Sequence, residues 1–278
     1  MFKKIKGVKQ LKKQNKNTAI IKLSENLNHI IENSNENISI MIHNLDENYT
    51  IYKRNENIQM LSASIIKVPI MLYILNEVKK QHINLSDTLL VRKNQILSDS
   101  QVFEYGENKY TLEELIYWMI ISSDNTATNV LIETFGMQKI NQYILNQFDI
   151  KKTELQRKML DEIAIQNGKN NYTTQNDMLT IFSKLYHKEI LNDFFCKFAL
   201  NVLSQQRYKN QILRYIYQPV QFFHKTGSLD FISHDVGIMI INDCAYYIGV
   251  SVYDSNQKDG NKQLIGKIGK QIYKNLNY

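Results

Sequence analysis

The spacing of apolar residues near the start of the chain changes from a helical to a strand-like pattern. Residues 18–33 carry apolar positions three and four apart, which predicts an amphipathic helix. The segments "ISIMIHNL" (38–45) and "YTIYKR" (49–54) are short, rich in β-forming residues and separated by the turn-like "DEN". The pattern therefore predicts a helix followed by a β-hairpin.

The next 150 residues give mostly helical signals. "TLEELIYWMIIS" opens with Thr111 and Glu114, the spacing of a capping box at a helix start. "NTATNVLIETFG" ends on Gly136, a residue type that stops helices. From residue 61 to about 215 we therefore expect a series of helices joined by short turns.

The pattern alternates again after Pro219. "VQFFHKTG", "HDVGIMIIN" and "AYYIGVSVYD" are three predicted strands, and a final helix is predicted from about 260 to 275. Strands at both chain ends with helices between them favour an α/β (α+β) architecture. One antiparallel sheet is then built from both chain ends and flanked by helices, with an all-helical domain inserted.

This pattern also divides the chain into units. We predict a basic N-terminal arm over residues 1–17 and a sheet domain over residues 18–60 and 216–278. A helical domain covers residues 61–215, and the active site is expected between the two domains.

Charge is concentrated at the N-terminus. The formal net charge is +7, but residues 1–22 hold eight lysines and no acid, which leaves 26 basic and 27 acidic residues elsewhere. This segment has two interpretations. It is a solvated arm, or residues 1–22 make weak contact with an anionic membrane surface, which is favoured by apolar residues at every third position. Neither interpretation is a nucleic-acid signal.

Targeting and metal signals are weak in this sequence. The basic start is followed by no continuous apolar region and no small-residue cleavage site, so the sequence alone predicts a cytoplasmic protein. Cys196 and Cys244 are far apart and lack metal-ligand spacing, which predicts two free thiols. No apolar stretch approaches the length of a membrane span.

The segment "LSASIIKVPI" (61–70) places a lysine in a run that is otherwise about to be buried. Ser64 and Lys67 are three apart, so on a helix they share a face. An apolar setting would lower the pKa of the lysine and make it a base for the serine. The structural alternative is a serine near a helix cap and a lysine that extends to solvent.

Two further clusters carry the same kinds of side chain. Ser123-Asp124-Asn125 lies between two predicted helices, and Lys225-Thr226-Gly227 lies at the end of a predicted strand. Each cluster alone is a common cap or turn. The order Ser-x-x-Lys, Ser-Asp-Asn, Lys-Thr-Gly on a helix start, a turn and a strand end is far more specific.

With these three motifs the chain resembles the penicillin-recognising serine hydrolases, and within them the class A β-lactamases. The intervals from Ser64 to Ser123 and from Ser123 to Lys225 are 59 and 102 residues, in keeping with that class. The resemblance covers roughly residues 20 to 275. It implies the fold described above and a monomer that needs no metal or cofactor.

The resemblance also implies catalytic roles. Ser64 is the nucleophile that forms an acyl-enzyme, and Lys67 is a candidate base for it. Ser123 relays a proton to the leaving nitrogen with the help of Lys225. The backbone N–H groups of Ser64 and Ser228 form the oxyanion hole.

Substrate-binding roles follow from the same resemblance. Asn125 holds the side-chain amide of a β-lactam or a related acyl substrate, and Lys225 and Thr226 receive its carboxylate. Gly227 is expected because a side chain there would obstruct the approach of the substrate to the strand edge.

One departure from the resembled family concerns the loop that supplies the deacylating base. Segment 153–174 matches the framework of that loop, but the position of the family's glutamate is Met159, and that of its water-holding asparagine is Ile163. Asp161 and Glu162 are nearby carboxylates that a small shift of the loop would bring into the site. Their structural alternative is a helix cap or an exposed position.

A second departure lies nine residues beyond Lys225, where the family often has an arginine for the substrate carboxylate. This sequence has His234 there. A protonated histidine would supply the positive charge for the substrate carboxylate, and substrate binding would then depend on pH. The alternative is a structural histidine bonded to Asp235 or to backbone.

The sequence therefore predicts a β-lactamase-like serine hydrolase that acts on β-lactams or a related amide or ester, with slow deacylation. The alternatives are a D-alanyl-D-alanine-type peptidase, amidase or esterase, and a non-catalytic penicillin-binding module. Members of the resembled family usually act outside the cytoplasmic membrane, in contrast to the missing export signal.

Overall fold

A five-stranded antiparallel sheet with helices on both faces organises the chain. The computed structural model describes the backbone of residues 2–277 and the side chains of residues 16–277. The α-helices of this part are α1 Phe2–Glu32, α2 Lys67–Lys79, α3 Leu112–Ile121, α4 Asn125–Phe135, α5 Met137–Phe148, α6 Glu162–Gln166, α7 Gln175–Tyr186, α8 Asp193–Ser204 and α9 Lys262–Leu276. Its strands are β1 Asn37–Asn44, β2 Tyr49–Arg54, β3 Met60–Leu61, β4 Thr88–Val91, β5 Asn108–Thr111, β6 Tyr172–Thr173, β7 Gln221–Leu229, β8 Ile232–Ile241 and β9 Cys244–Tyr253.

The sheet joins the two ends of the chain, as the alternating patterns predict. Its strand order is β2-β1-β9-β8-β7, and every neighbouring pair is antiparallel. The early hairpin is attached to the late strands through β1 and β9, which pair from Asn37 opposite Tyr253 to Asn44 opposite Tyr246. Strand β7 forms one edge, so its outer side is available to other groups.

Helices cover both faces of the sheet, which explains why β8 and β9 are buried along nearly their whole length. On one face, α1 and α9 pack Leu23, Leu27, Ile265 and Ile268 against the strands in a continuous apolar cluster. On the other face, α7 contacts β1, β8 and β9. The sheet is therefore a rigid middle layer that holds the edge strand β7 in place.

Helix α2 lies at the centre of the helical part. Its residues from Val68 to Leu75 are all buried, and α3, α4, α5 and α8 pack around it. The capping box of Thr111 and Glu114 starts α3 as predicted, and Gly136, with a φ of 84°, ends α4. The mixed α/β fold predicted from the sequence is confirmed, whereas the proposed domain limits remain a prediction.

The first helix begins earlier than its apolar pattern indicates, at Phe2 rather than near residue 18. The side chains of residues 1–15 lie outside the described residues, so membrane-surface contact of residues 1–22 remains a prediction. Among the helices of residues 2–277, none combines the length and hydropathy needed to cross a membrane.

Candidate active site

Ser64 lies in a tight turn at the entrance to the central helix. Residues Ala63–Ile66 form a 3₁₀ turn that runs directly into α2, which starts at Lys67. In a 3₁₀ turn, side chains three apart lie one above the other, so Ser64 and Lys67 share a face. Ala63 has a φ of 44°, an unusual value for a residue with a side chain, and such strain is concentrated at functional turns.

Lys67 is fully buried, so the alternative in which it extends to solvent is wrong. Its Nζ lies within hydrogen-bond distance of three oxygens, the Ser123 carbonyl at 2.6 Å, Ser123 Oγ at 3.2 Å and Asn125 Oδ1 at 2.7 Å. The ammonium form can donate to all three, and the neutral amine to two of them. Burial lowers the pKa of Lys67 to about 7, although the carboxylates of Asp124 and Asp99 oppose that shift. A large fraction of this lysine is therefore a neutral amine at physiological pH, which is what a proton acceptor requires.

The turn between α3 and α4 presents its polar groups to Lys67. Ser123 adopts a left-handed conformation with a φ of 56°, and Asp124 caps α4 by accepting a hydrogen bond from the backbone N–H of Ala127 at 2.8 Å. The cap fixes the start of α4, and the reversal at Ser123 directs both its carbonyl and its hydroxyl to the lysine. The sequence predicts that Lys67 contacts Ser64, whereas in the described part its hydrogen bonds go to Ser123 and Asn125.

Lys225 is the second fully buried lysine. Its Nζ donates to the carbonyl oxygen of Thr226 at 2.8 Å. Burial moves the pKa of Lys225 well below its ordinary value, the positive charge of Lys67 lowers it further, and Asp235 opposes both effects. Among the described residues, no hydrogen bond joins Lys225 to Ser123, so the assistance of Lys225 to Ser123 stays a prediction.

Gly227 is required by a close approach that differs from the one expected. A Cβ built on Gly227 would lie 3.0 Å from the backbone nitrogen of Ser64 and 3.1 Å from the Cβ of Ala63. Strand β7 thus passes directly against the turn that carries Ser64. A side chain at 227 would crowd the Ser64 N–H itself, in addition to the strand edge that the sequence indicated.

These elements enclose a cavity of about 750 Å³ between the edge strand, the Ser123 turn and two loops. Six of the predicted site residues line it: Ser64, Ser123, Asn125, Thr226, Gly227 and Ser228. The two buried lysines lie behind this lining, where water has little access to them. The geometry therefore combines an accessible serine hydroxyl with protected amines.

Sequence reasoning missed several charged residues in the same lining, and Asp99 and Arg207 are two of them. Asp99 accepts a hydrogen bond from Asn125 Nδ2 at 2.7 Å, and Arg207 is an exposed guanidinium in the segment that follows α8. Neither residue belongs to a motif, and both lie in loops without a regular pattern. No signal in the sequence marks them.

A second, smaller cavity of about 130 Å³ adjoins Ser64 and Asn125 on the other side. Its lining includes Met159. The backbone of Met159 is held by two hydrogen bonds to the side chain of Asn129. The Met159 N–H donates to Asn129 Oδ1 at 2.7 Å, and Asn129 Nδ2 donates to the Met159 carbonyl at 3.0 Å. Leu160 and Ile165 add apolar surface, while Arg157 and Asn171 are the polar members of this wall.

The nearby carboxylates do not reach this cavity. Asp161 caps the short helix α6 by accepting a hydrogen bond from the Ala164 N–H at 3.0 Å, and Glu162 is exposed. Neither is part of the lining of either cavity, so the structure supports the alternative in which they cap a helix or face solvent. Ile163, which the matched register places at a water-holding position, is 73% exposed and is also outside the lining.

His234 is fully buried in β8, directly behind Gly227 in the strand register. One ring nitrogen is 2.7 Å from Ser251 Oγ and the other is 2.8 Å from the Leu61 carbonyl oxygen. Burial lowers the pKa of His234 to about 4, against the opposing effect of the Leu61 carbonyl. A neutral ring with both nitrogens bonded cannot supply a positive charge, so the substrate-carboxylate role predicted for His234 gives way to a structural one, through Leu61 and Ser251 rather than Asp235.

Metal-binding groups are a separate question. Within the described residues, no three side chains of His, Cys, Asp or Glu come together in a way that could hold a metal ion. Cys196 is buried, Cys244 is partly buried, and both are free thiols.

Comparison with known proteins gives a consistent result. A model of the beta-lactamase enzyme family matches residues 22–276. A β-lactamase of Bacteroides uniformis is 25% identical over 240 residues, which cover 79% of this chain and 80% of the relative.

Two solved structures illustrate the likeness of fold. A class A β-lactamase representative from Bacteroides cellulosilyticus DSM 14838 superimposes with a TM-score of 0.84 at 23% identity, over 93% of this chain and 98% of its own. A penicillin G acyl-enzyme complex of a leucine-to-glutamate mutant of PBP-A superimposes with a TM-score of 0.80 at 20% identity, over 93% of this chain and 96% of its own. At these identities the superpositions show a shared fold.

Proposed function

The chain belongs to the beta-lactamase enzyme family, and from this premise we propose that it forms an acyl-enzyme through Ser64 and releases the acyl group slowly. Membership makes it a β-lactamase-type hydrolase, and the finer claim rests on the site. The observation that carries it is the fully buried Lys67, whose pKa is lowered to about 7 and which is bonded to Ser123 beside the serine turn.

In the proposed acylation step, the neutral amine of Lys67 takes the proton of the Ser64 hydroxyl. The oxygen then forms a bond to the carbonyl carbon of a β-lactam or a related amide or ester. Because Lys67 Nζ lies 3.2 Å from Ser123 Oγ, the ammonium can return a proton through that hydroxyl to the leaving nitrogen as its bond to carbon breaks. For a β-lactam or an amide, the products are an ester on Ser64 and an amine. For an ester substrate, the leaving alcohol oxygen takes the same proton, and in each case there is no net gain or loss of protons.

The developing negative charge on the carbonyl oxygen needs donors in place before the reaction. The Ser64 N–H meets this requirement because Gly227 leaves the space in front of it open, and Ser228 lines the cavity beside it. Preorganised donors of this kind accelerate acyl transfer by roughly two to three powers of ten each.

Binding of the substrate divides between the two walls of the large cavity. Asn125 offers its Nδ2 to an amide carbonyl, while Thr226 and Arg207 lie where a carboxylate could be received. Arg207 forms no ion pair among the described residues, so its charge is available for an anionic substrate. We assign it the charge that a neutral, buried His234 cannot provide.

The proposed slow step is deacylation. An ester on Ser64 is hydrolysed by a water that loses its proton to a nearby base, and the small cavity is lined by Met159 together with Ser64 and Asn125. A thioether accepts protons poorly, and the two carboxylates of the same loop, Asp161 and Glu162, cap a helix or face solvent. The acyl-enzyme should therefore persist.

The same cavity would also accept a peptide amide or an ester, so a D-alanyl-D-alanine-type peptidase, amidase or esterase is the second candidate. The apolar deacylation wall favours it, because small, reactive esters depend less on a strong base for release. A non-catalytic module fits less well, since two buried lysines are costly to keep without a use for them.

Labelling with a fluorescent penicillin tests the proposal. The parent protein should become covalently labelled, and Ser64→Ala should not, with both proteins showing the same thermal unfolding midpoint. Labelling of the alanine variant at the parent rate would exclude Ser64 as the nucleophile.

A further inference from the structure

Asp99 gives the amide-binding part of the large cavity a negative charge that no motif of the chain requires. Asn125 Nδ2 donates to Asp99 Oδ2 at 2.7 Å, and Asn125 Oδ1 accepts from Lys67 Nζ at 2.7 Å. These two bonds fix the amide of Asn125 with its nitrogen toward the carboxylate. The cavity therefore presents Asn125 and Asp99 as one unit.

The loop that carries Asp99 is attached to the start of α4 on both sides of this residue. The Leu97 N–H donates to Thr126 Oγ1 at 2.9 Å, and Ser100 Oγ donates to Asp124 Oδ2 at 2.6 Å. With the bond from Asn125, three hydrogen bonds hold residues 97–100 against the helix that supplies the site. The position of the carboxylate is thus built into the fold, even though its outer part is exposed.

The geometry of an amide nitrogen places a bound substrate close to this carboxylate. Asn125 Nδ2 has two hydrogens, and Asp99 takes one of them. A substrate carbonyl that accepts the second hydrogen would have its oxygen about 5 Å from Asp99 Oδ2, for two bonds of ordinary length about 120° apart. A substituent on the carbon next to that carbonyl can then reach the carboxylate.

The other charges of this wall do not neutralise Asp99. Lys67 must be a neutral amine when it accepts the Ser64 proton, and Asp124 and Glu104 are further acids in the lining. Two cations, Arg207 and Lys262, also line the cavity, but among the described residues neither forms an ion pair with Asp99. A cationic group beside Asn125 would therefore meet an uncompensated negative charge.

We propose that Asp99 makes this site selective for acyl donors that carry a protonated amine on the carbon next to the amide carbonyl bound by Asn125. D-aminoacyl compounds and aminopenicillins have this chemistry. The inference rests on the proposed acyl transfer and adds the class of acyl donor to it.

Ampicillin and benzylpenicillin test this inference, because they differ by one amino group on that carbon. The second-order rate constants of acylation would be measured for both at pH 6.5, below the usual pKa range of an α-amine, roughly 7.7–8.0. The ratio of the two rate constants removes the effect of Lys67 ionisation, which is common to both. The variants are Asp99→Asn, which keeps an acceptor for Asn125, and Glu113→Gln, which removes an exposed acid outside both cavity linings.

We expect Asp99→Asn to lower the ampicillin-to-benzylpenicillin ratio by about two- to fivefold, the range for an exposed ion pair. Glu113→Gln should leave the ratio unchanged, and the benzylpenicillin rate shows that each variant has an intact site. If both compounds acylate the protein and Asp99→Asn leaves the ratio of their rate constants unchanged, this inference is wrong and the proposed function still stands. Absence of acylation by both compounds in the parent protein would overturn the proposed function and the inference with it.

Discussion

Replacing Met159 by glutamate should convert a long-lived acyl-enzyme into one that turns over. Met159 is 7% exposed and lines the small cavity next to Ser64, and its backbone is fixed by two hydrogen bonds to Asn129. Glutamate has a similar length and volume, so the new carboxylate would enter the same space. The guanidinium of Arg157 lines that cavity too and would favour the ionised form.

The expected change in acyl-enzyme lifetime follows from the group that the small cavity lacks. Its volume of about 130 Å³ has room for about four waters at roughly 30 Å³ each, so a hydrolytic water fits, but no carboxylate is among the lining residues. A positioned general base contributes roughly two to four powers of ten, or about 3–5 kcal/mol of activation free energy. Burying a polar side chain in place of a thioether should cost roughly 1–3 kcal/mol of folding stability.

The assay follows the decay of a preformed fluorescent penicillin adduct after excess label is removed. Met159→Glu should shorten the adduct lifetime by about two to four powers of ten, whereas the uncharged Met159→Gln should change it by less than tenfold. Thermal unfolding and the acylation rate show whether each variant keeps its fold and its nucleophile. A folded Met159→Glu protein that acylates normally and keeps the parent lifetime would refute the assignment of Met159 to the deacylation position.

Three further predictions concern groups around the site. The acylation rate constant should rise with pH and level off above about 7, because burial lowers the pKa of Lys67 to that value and only its neutral form accepts a proton. A flat stopped-flow profile between pH 5 and 9 would place the base elsewhere. Gly227→Ala should slow acylation by about two to three powers of ten, since its Cβ would lie 3.0 Å from the Ser64 nitrogen. Full activity of that variant would show that this N–H is not an oxyanion donor. As pH falls from 6.5 to 4, the free energy of unfolding should decrease by up to about 3 kcal/mol because of His234. The unfolded chain binds a proton at this histidine, whereas the buried ring, with a pKa of about 4, does not. Urea unfolding should show a smaller acid loss in His234→Gln, and an equal loss in both proteins would mean that the ring is protonated in the fold.

The sequence predicts the fold and the arrangement of its motifs because each depends on local patterns. Alternation over the last three strands, the capping box at Thr111 and Gly136 at a helix end are readable within a few residues, and all three appear in the structure. The pairing of Ser64 and Lys67 on one face also follows from their spacing. These features depend on the spacing of residues along the backbone, which can be read directly from the sequence.

The features that the sequence missed depend on contacts between distant segments. Asp99 faces Asn125 only because its loop is attached to the start of α4, and no periodic pattern encodes that attachment. The burial of His234 between Leu61 and Ser251 likewise joins three separate strands. The match of segment 153–174 to the family's loop predicts that Ile163 lies in the site. In the structure Asp161 caps the start of helix α6, and the side chain of Ile163 is exposed to solvent.

The most direct test of the account is mass spectrometry of the intact protein after a short exposure to benzylpenicillin, followed over time. The account predicts one covalent adduct per chain that forms quickly, is absent from Ser64→Ala and decays slowly compared with its formation. Turnover of the antibiotic with no adduct at any time point, or an adduct that forms equally in Ser64→Ala, would contradict it.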